Sequence, residues 1–346
     1  MKGFAMYSIK EIDKSLFESS LKNNPPHTIF TSKEWISFLE KNQNGRCIVL
    51  ELSMDQNVVA YFVGLIIRKI GFKILGSPFN GWLTPDMGFV CIKEINYSEA
   101  LKDVVSYVFT NHICHYLQIC DKNILSDCIE IKHKVETTKL LMIDLEKSEE
   151  DLLSNFTKNG RRDVRASGRK GVIVRHVEFD KAFADIYYDQ LIDVFAKQNL
   201  TPHYSRQKVY DLVDAFKDSP DSVIALEALN EEGEIIATVF SFGYGNWAYY
   251  VGAASFRDYQ KLLPNEALFW EFVLSWKRRG VKYLDLMGYR EYKMKYNPVV
   301  IEIPRIIFEK IPGIFLGKEV TSHAIGLFRG LKGLLKTCKK RKKNEY

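Results

Sequence analysis

The sequence predicts an α/β chain, of the α+β kind in places, in which two tandem units each carry a mixed central sheet flanked by helices. Three observations lead there. Its 346 residues are enough for about two domains. With 46% hydrophobic and 27% charged residues, the composition is that of an ordinary globular chain, which excludes disordered, collagen-like and disulfide-stapled proteins. The alternation of helical and strand patterns in the first half also recurs in the second. The expected division is residues 1–147, residues 148–312 and a tail over residues 313–346.

In the first unit, Thr31-Ser32-Lys33-Glu34 reads as a capping box before a helix that carries Trp35, Ile36, Phe38 and Leu39. Residues 46–52 and 58–68 are β-rich runs around Asp55-Gln56-Asn57. A looser stretch begins at Gly71 and contains the breakers Ser77-Pro78 and Thr84-Pro85. A helix over residues 97–111 and strands over 116–120 and 139–145 complete the unit.

The second unit opens with a charge-rich helical stretch at 148–170, a strand at 171–177 and a helix at 182–197. Strands at 223–229 and 235–243 flank Asn230-Glu231-Glu232-Gly233, and another strand covers 247–253. A helix at 263–279, opened by Pro264-Asn265-Glu266 and closed by Gly280, leads into a buried strand at 283–287. Residues 235–256 contain no charge and are long enough to span a bilayer. Gly243-Tyr244-Gly245-Asn246 at their centre predicts a β-hairpin instead.

Net charge is +6, and residues 332–346 hold seven Lys or Arg against Glu345, so the first 331 residues are balanced. Leu327, Phe328, Leu331, Leu334 and Leu335 recur at helical spacing before Lys339-Lys340-Arg341-Lys342-Lys343. Such an amphipathic, polybasic tail suits an anionic membrane surface; docking on the protein itself and nucleic-acid binding stay open, and no stable DNA binding is expected. Cys47, Cys91, Cys114, Cys120, Cys128 and Cys338 are too scattered for a disulfide framework, and no secretory leader opens the chain. The expectation is a cytoplasmic protein, peripheral on the inner face of the membrane where the tail engages it. His112, Cys114, His115, Cys120 and Cys128 lack a Cys-x-x-Cys pair, so no metal is expected. Neither a serine nucleophile elbow nor a Walker loop occurs, which excludes serine hydrolases and P-loop kinases.

Helix, hairpin strands, strand, helix, strand is the element order of a GNAT-type acyltransferase domain. Three segments further resemble the Fem-type peptidyltransferases, GNAT relatives with two such domains. Thr31-Ser32-Lys33-Glu34-Trp35 resembles that family's S-x-x-W helix start. Asn159-Gly160-Arg161-Arg162-Asp163-Val164-Arg165 with Lys170-Gly171-Val172 resembles its R-R-x-I-R element. Gly280-Val281-Lys282-Tyr283-Leu284-Asp285-Leu286-Met287-Gly288, followed by Tyr292-Lys293, resembles its F-D-F-x-G and Y/F-K run. The likeness covers most of residues 30–300. It departs at Asn297-Pro298, where the family has glycine, and between Lys197 and Val223, where the long helical arm of the staphylococcal-type ligases has no counterpart.

The resemblance implies an acyltransferase forming an amide or ester on a cell-envelope precursor, such as a peptidoglycan peptide or a polysaccharide amino sugar. A nucleotide- or lipid-linked glycan would be the substrate and acyl-CoA or aminoacyl-tRNA the co-substrate, with no tightly bound cofactor. An acyl-CoA enzyme acting on a small amine and a non-catalytic scaffold binding glycan or membrane are the alternatives.

The resemblance sets the arginine-rich helix, and with it Trp35, beside the substrate. Arg161, Arg165 and Arg169 share one helical face next to Arg162, an arrangement that an anion would relieve and that solvent alone could also serve. Lys293, by its motif, is implied to stabilise an oxyanion or a phosphate. Asp285, at a strand end, could orient or deprotonate the acceptor amine, with Tyr292 as proton donor; loop capping and plain packing stay open for these two. The connection over residues 255–263 contains no glycine, so only Arg257, Lys261 and Asn265 are candidates to hold a CoA pyrophosphate.

Overall fold

The computed structural model describes residues 6–21, 28–124, 129–196 and 200–311. The expected amphipathic tail, Cys128, Cys338 and the predicted helix end at Lys197 lie outside the described residues.

The first unit contains β1 (Ser8–Ile12), α1 (Lys14–Leu21), α2 (Lys33–Gln43), β2 (Arg46–Met54), β3 (Asn57–Lys69), β4 (Phe72–Ser77), β5 (Phe89–Cys91), α3 (Tyr97–Asn111), β6 (Tyr116–Cys120) and β7 (Lys134–Asp144). The second contains α4 (Glu149–Asn155), α5 (Lys158–Arg169), β8 (Ile173–Val177), α6 (Lys181–Ala196), α7 (Arg206–Phe216), β9 (Val223–Leu229), β10 (Ile235–Tyr244), β11 (Trp247–Ser255), α8 (Pro264–Arg278), β12 (Tyr283–Asp285) and β13 (Val299–Glu309). The stretch after Gly71 is thus a strand, β4, and the charge-rich helix is two. Ser148 and Thr157 cap α4 and α5 separately, with extended Phe156 between them. The uncharged stretch is the β10–β11 hairpin, and among the described residues no helix is long and apolar enough to cross a membrane.

The capping box takes a different form. Ser32 is the N-cap and accepts from the Trp35 N–H, while Glu34 accepts from the Ser219 hydroxyl at 2.9 Å. The carboxylate expected to close the box instead ties α2 to the second unit.

Among the described residues, one thirteen-stranded mixed sheet runs in the order β1-β2-β3-β4-β6-β13-β7-β12-β11-β10-β9-β8, with β5 beside β3. The chain's last described strand makes it continuous. β13 inserts antiparallel between β6 and β7, pairing Arg305 with Cys120 and Ile303 with Thr138. Pro304, which has no N–H to give, sits just before the β6-paired stretch. The core is shared as well: α2 delivers Trp35 and Phe38 against Phe216 of α7 and Phe242 of β10, and Trp35 meets both partners at ring distances of 5.4–6.0 Å.

Candidate active site

β11 and β12 run parallel, yet pair only from Trp247 with Tyr283 to Tyr249 with Asp285. β12 ends there, whereas β11 continues through a register shift opposite Phe240 and Ser241. A bulge of this kind bends a strand and re-aims its side chains. The two strands therefore fork at Asp285.

Asp285 is fully buried at the fork. Its Oδ1 accepts from Met287 N–H at 2.8 Å, and its Oδ2 has no hydrogen-bond partner among the described residues. Burial pushes the carboxyl up to about 7; the Met287 N–H opposes this and the nearby Asp86 adds to it. Asp86, from the segment between β4 and β5, Lys122, just past β6, and Tyr249 of β11 converge on the same place. Lys122 Nζ lies 3.7 Å from Asp86 Oδ2 and 3.6 Å from the centre of a Trp247 ring. Burial likewise raises the Asp86 carboxyl, against the pull of Lys122.

Asp86 Oδ1, Lys122 Nζ, Tyr249 Oη and Asp285 Oδ2 are all buried and make no hydrogen bond of normal geometry among the described residues, although Lys122 keeps its ion pair with Asp86 and Tyr249 lies close to Thr28. Each such group costs about 1–3 kcal/mol. The four gather at one junction, where Asp86 and Lys122 line a cavity with Thr28, Asp121 and Asn123. Its wall is pinned by Asp121, which accepts from Phe89 N–H and Asn123 N–H at 2.9 Å each. Gly88, at φ +134°, is needed for that approach, since a Cβ there would come within 2.5 Å of Asp121 Oδ2.

Lys293 is buried behind the fork. Its ammonium donates to the carbonyls of Leu286 (2.7 Å), Gly288 (3.2 Å) and Met287, which occupies all three protons and clamps the loop that follows Asp285. Burial pulls its pKa down to about 8, with Asp285 opposing. Tyr292 is 57% exposed, and its ring centre lies 5.9 Å from Lys293 Nζ. Asn297, at the place where the resembling family has glycine, takes the left-handed conformation, φ +49°, which asparagine tolerates better than most residues.

The other predicted site residues do not join this chamber. Trp35 is fully buried, its Nε1 donating to Thr84 Oγ1 at 2.9 Å, so it packs the core and touches no substrate. Arg161 turns back to the carbonyls of Ser154 and Phe156, and Arg162 donates to Asp163. Arg165 and Arg169 are exposed and make no ion pair among the described residues. Gly160 lets α5 sit against the 291–296 turn, where a Cβ would meet Lys295 O at 2.5 Å. Arg257 is paired with Asp193 at 2.7 Å, Lys170 donates to the Lys261 carbonyl, and Asn265 donates to Ser255 Oγ at 3.0 Å. In the first turn of α8, where an anion would be held, the Glu266 carboxylate already sits in an ion pair with Lys295.

Residues 154–294, which hold the fork and the α8 helix, match the model of the acetyltransferase (GNAT) domain family. This stretch is a GNAT-type acyltransferase domain. The match supports acyl transfer as the reaction class. The chain is similar in fold to FemX, with TM-score 0.67 and 11% identity over 86% of this chain and 96% of that one. It is similar to L-PGS from Bacillus licheniformis, with TM-score 0.54 and 14% identity over 92% and 98%. It is also similar to the C-terminal domain of a putative lysylphosphatidylglycerol synthetase from Agrobacterium fabrum, with TM-score 0.50 and 13% identity over 87% and 91%. No curated protein matches the sequence. Asp86, Lys122 and Tyr249 escaped the sequence reading, although Asp86 follows Thr84-Pro85 and Lys122 follows a strand end, a place where α/β sheets gather ligands.

Proposed function

We propose that the chain transfers an acyl or aminoacyl group to an amine of a cell-envelope precursor in the chamber at the β11–β12 fork. The observation that carries this is the set of four buried polar atoms around Asp285 that make no hydrogen bond of normal geometry among the described residues. The acceptor amine gives a proton to Asp285 Oδ2 and attacks the donor carbonyl. The C–N bond forms, the bond from the carbonyl carbon to the carrier oxygen or sulfur breaks, and the proton passes to that leaving atom. Tyr249, whose phenol burial keeps protonated, donates to the developing oxyanion, with the Lys122 charge beside it. Lys293 holds residues 286–288, and through Met287 N–H the Asp285 carboxyl, in place. Tyr292 stands exposed beside the Lys293 clamp, and Arg165 and Arg169, outside the fork, carry exposed charge for a phosphate-bearing substrate.

Within this reading the donor is an aminoacyl-tRNA ester. The negative Glu266 carboxylate in the first turn of α8, which disfavours a second anion there, and the engaged Arg257 support it against a CoA pyrophosphate. The lysyl group in the name of the Agrobacterium fabrum neighbour agrees with an aminoacyl donor and an envelope acceptor. The test is a transfer assay with labelled aminoacyl-tRNA or acyl-CoA and a muramyl-peptide nucleotide as acceptor, alongside thermal stabilisation by each. A ligand at 100 times its Kd adds about 2.7 kcal/mol. Product and stabilisation from the tRNA and muramyl arms are expected; transfer from acyl-CoA to a small amine overturns the reading.

A further inference from the structure

Ile70 and Ile113 are the most exposed large apolar side chains among the described residues, at 74% and 64%. Both also hold left-handed backbone, with φ +49° and +54°, a region that β-branched residues enter only with strain and that asparagine or glycine enters readily. For folding alone, each position is ill served twice. Strain of this sort persists where the position has another use.

The two lie at one end of the sheet. Ile70 sits in the β3–β4 turn, where Lys69 pairs with Phe72. The exposed Phe72 ring meets the His115 ring edge-on at 5.5 Å, and the His115 N–H donates to the Lys73 carbonyl at 2.8 Å. Ile113 precedes His115 by two residues. The Lys310 N–H donates to the His115 carbonyl, so the end of β13 lies beside them with exposed Ile311. Arg68, Lys69 and Lys73 make no ion pair among the described residues, while Glu309 and Glu11 are engaged by Lys134 and Arg46. The chain continues from Ile311 into residues 312–346, whose last fifteen hold seven Lys or Arg against Glu345.

We propose that this end of the sheet docks on the interfacial layer of an anionic lipid bilayer. Ile70, Phe72, Ile113 and Ile311 enter at the headgroup and acyl-chain boundary, and Arg68, Lys69 and Lys73 meet headgroup phosphates. Apolar tips on turns with a basic rim fit a soft anionic surface, and the sequence that follows Ile311 holds the basic run.

The experiment is sedimentation of the full chain with vesicles of mixed phosphatidylglycerol and phosphatidylcholine, or of phosphatidylcholine alone, together with thermal melting and sedimentation velocity. Binding is expected on the anionic vesicles. Ile70→Asn and Ile113→Asn should each lower the partition about fivefold to tenfold while leaving Tm equal or higher, because asparagine relieves the strain. Lys69→Gln should lower it about fivefold at low salt and little at high salt. Unchanged partition in the double Asn variant overturns the proposal. A lower Tm, which would make these side chains structural, also overturns it, as does a change of oligomeric state, which would make the face a contact between copies.

Discussion

Around Asp285, four buried polar atoms make no hydrogen bond of normal geometry among the described residues, and burial holds a carboxyl near neutrality. On α5, an equally dense run of charge is either spent on the protein's own oxygens, as at Arg161 and Arg162, or exposed to water, as at Arg165 and Arg169. The difference teaches where function can be sought. Unpaired charge in water costs little and signals little, whereas unpaired polar atoms in the interior persist against a free-energy penalty.

The sharpest way to break the comparison is Asp285→Asn. Turnover should fall about 10²–10⁴-fold, the range for a lost general base. Stability should move the other way. The folded carboxyl keeps its proton up to about 7, while an unfolded aspartate releases it near 4, so folding is increasingly penalised as pH rises through that window. The Asn variant escapes the penalty, and its gain in Tm should be larger at about pH 8 than at about pH 5. A variant that loses activity and stability together would make Asp285 a plain structural cap.

Lys293→Met leaves the carbonyls of Leu286, Met287 and Gly288 without their shared donor and should cost about 1–3 kcal/mol by urea denaturation, with a fall in kcat that exceeds any change in KM. The wild-type rate should rise through about pH 7 as Asp285 ionises, then fall above about 8 as Lys293 loses its charge and the clamp loosens. Lys293→Arg should carry the alkaline limb upward. The smallest effects belong to α5. Arg161→Ala should lower stability by about 1 kcal/mol through the lost caps on α4, whereas Arg165→Ala with Arg169→Ala should leave Tm unchanged and raise KM for an anionic substrate several-fold. Equal behaviour of the two α5 variants would erase the distinction drawn between them.

Local pattern made much of the fold legible. Helix α3 and strand β6 fall on the predicted residues, and the β10–β11 hairpin follows from paired glycines and an asparagine. The strand β13 escaped notice because Pro304 interrupts its pattern and its partners are more than 150 residues away. Helix α7 escaped because Arg206, Gln207 and Lys208 crowd its first turn, although its buried face, Val209, Leu212, Val213 and Phe216, has helical spacing. Trp35 shows the opposite error: an aromatic at a helix start reads as substrate-binding until its neighbours from the second unit are known.

By itself the sequence determined the kind of elements, their order, the acyltransferase resemblance and the strand end that carries Asp285, because periodicity, caps and turn residues act over a few neighbours. Only the tertiary structure decided that the two units share one sheet, that Lys293 faces carbonyls, and that Asp86, Lys122 and Tyr249 join Asp285. Those facts depend on which atoms lose their water together, and desolvation is set by chain segments that meet in space, whatever their separation in sequence.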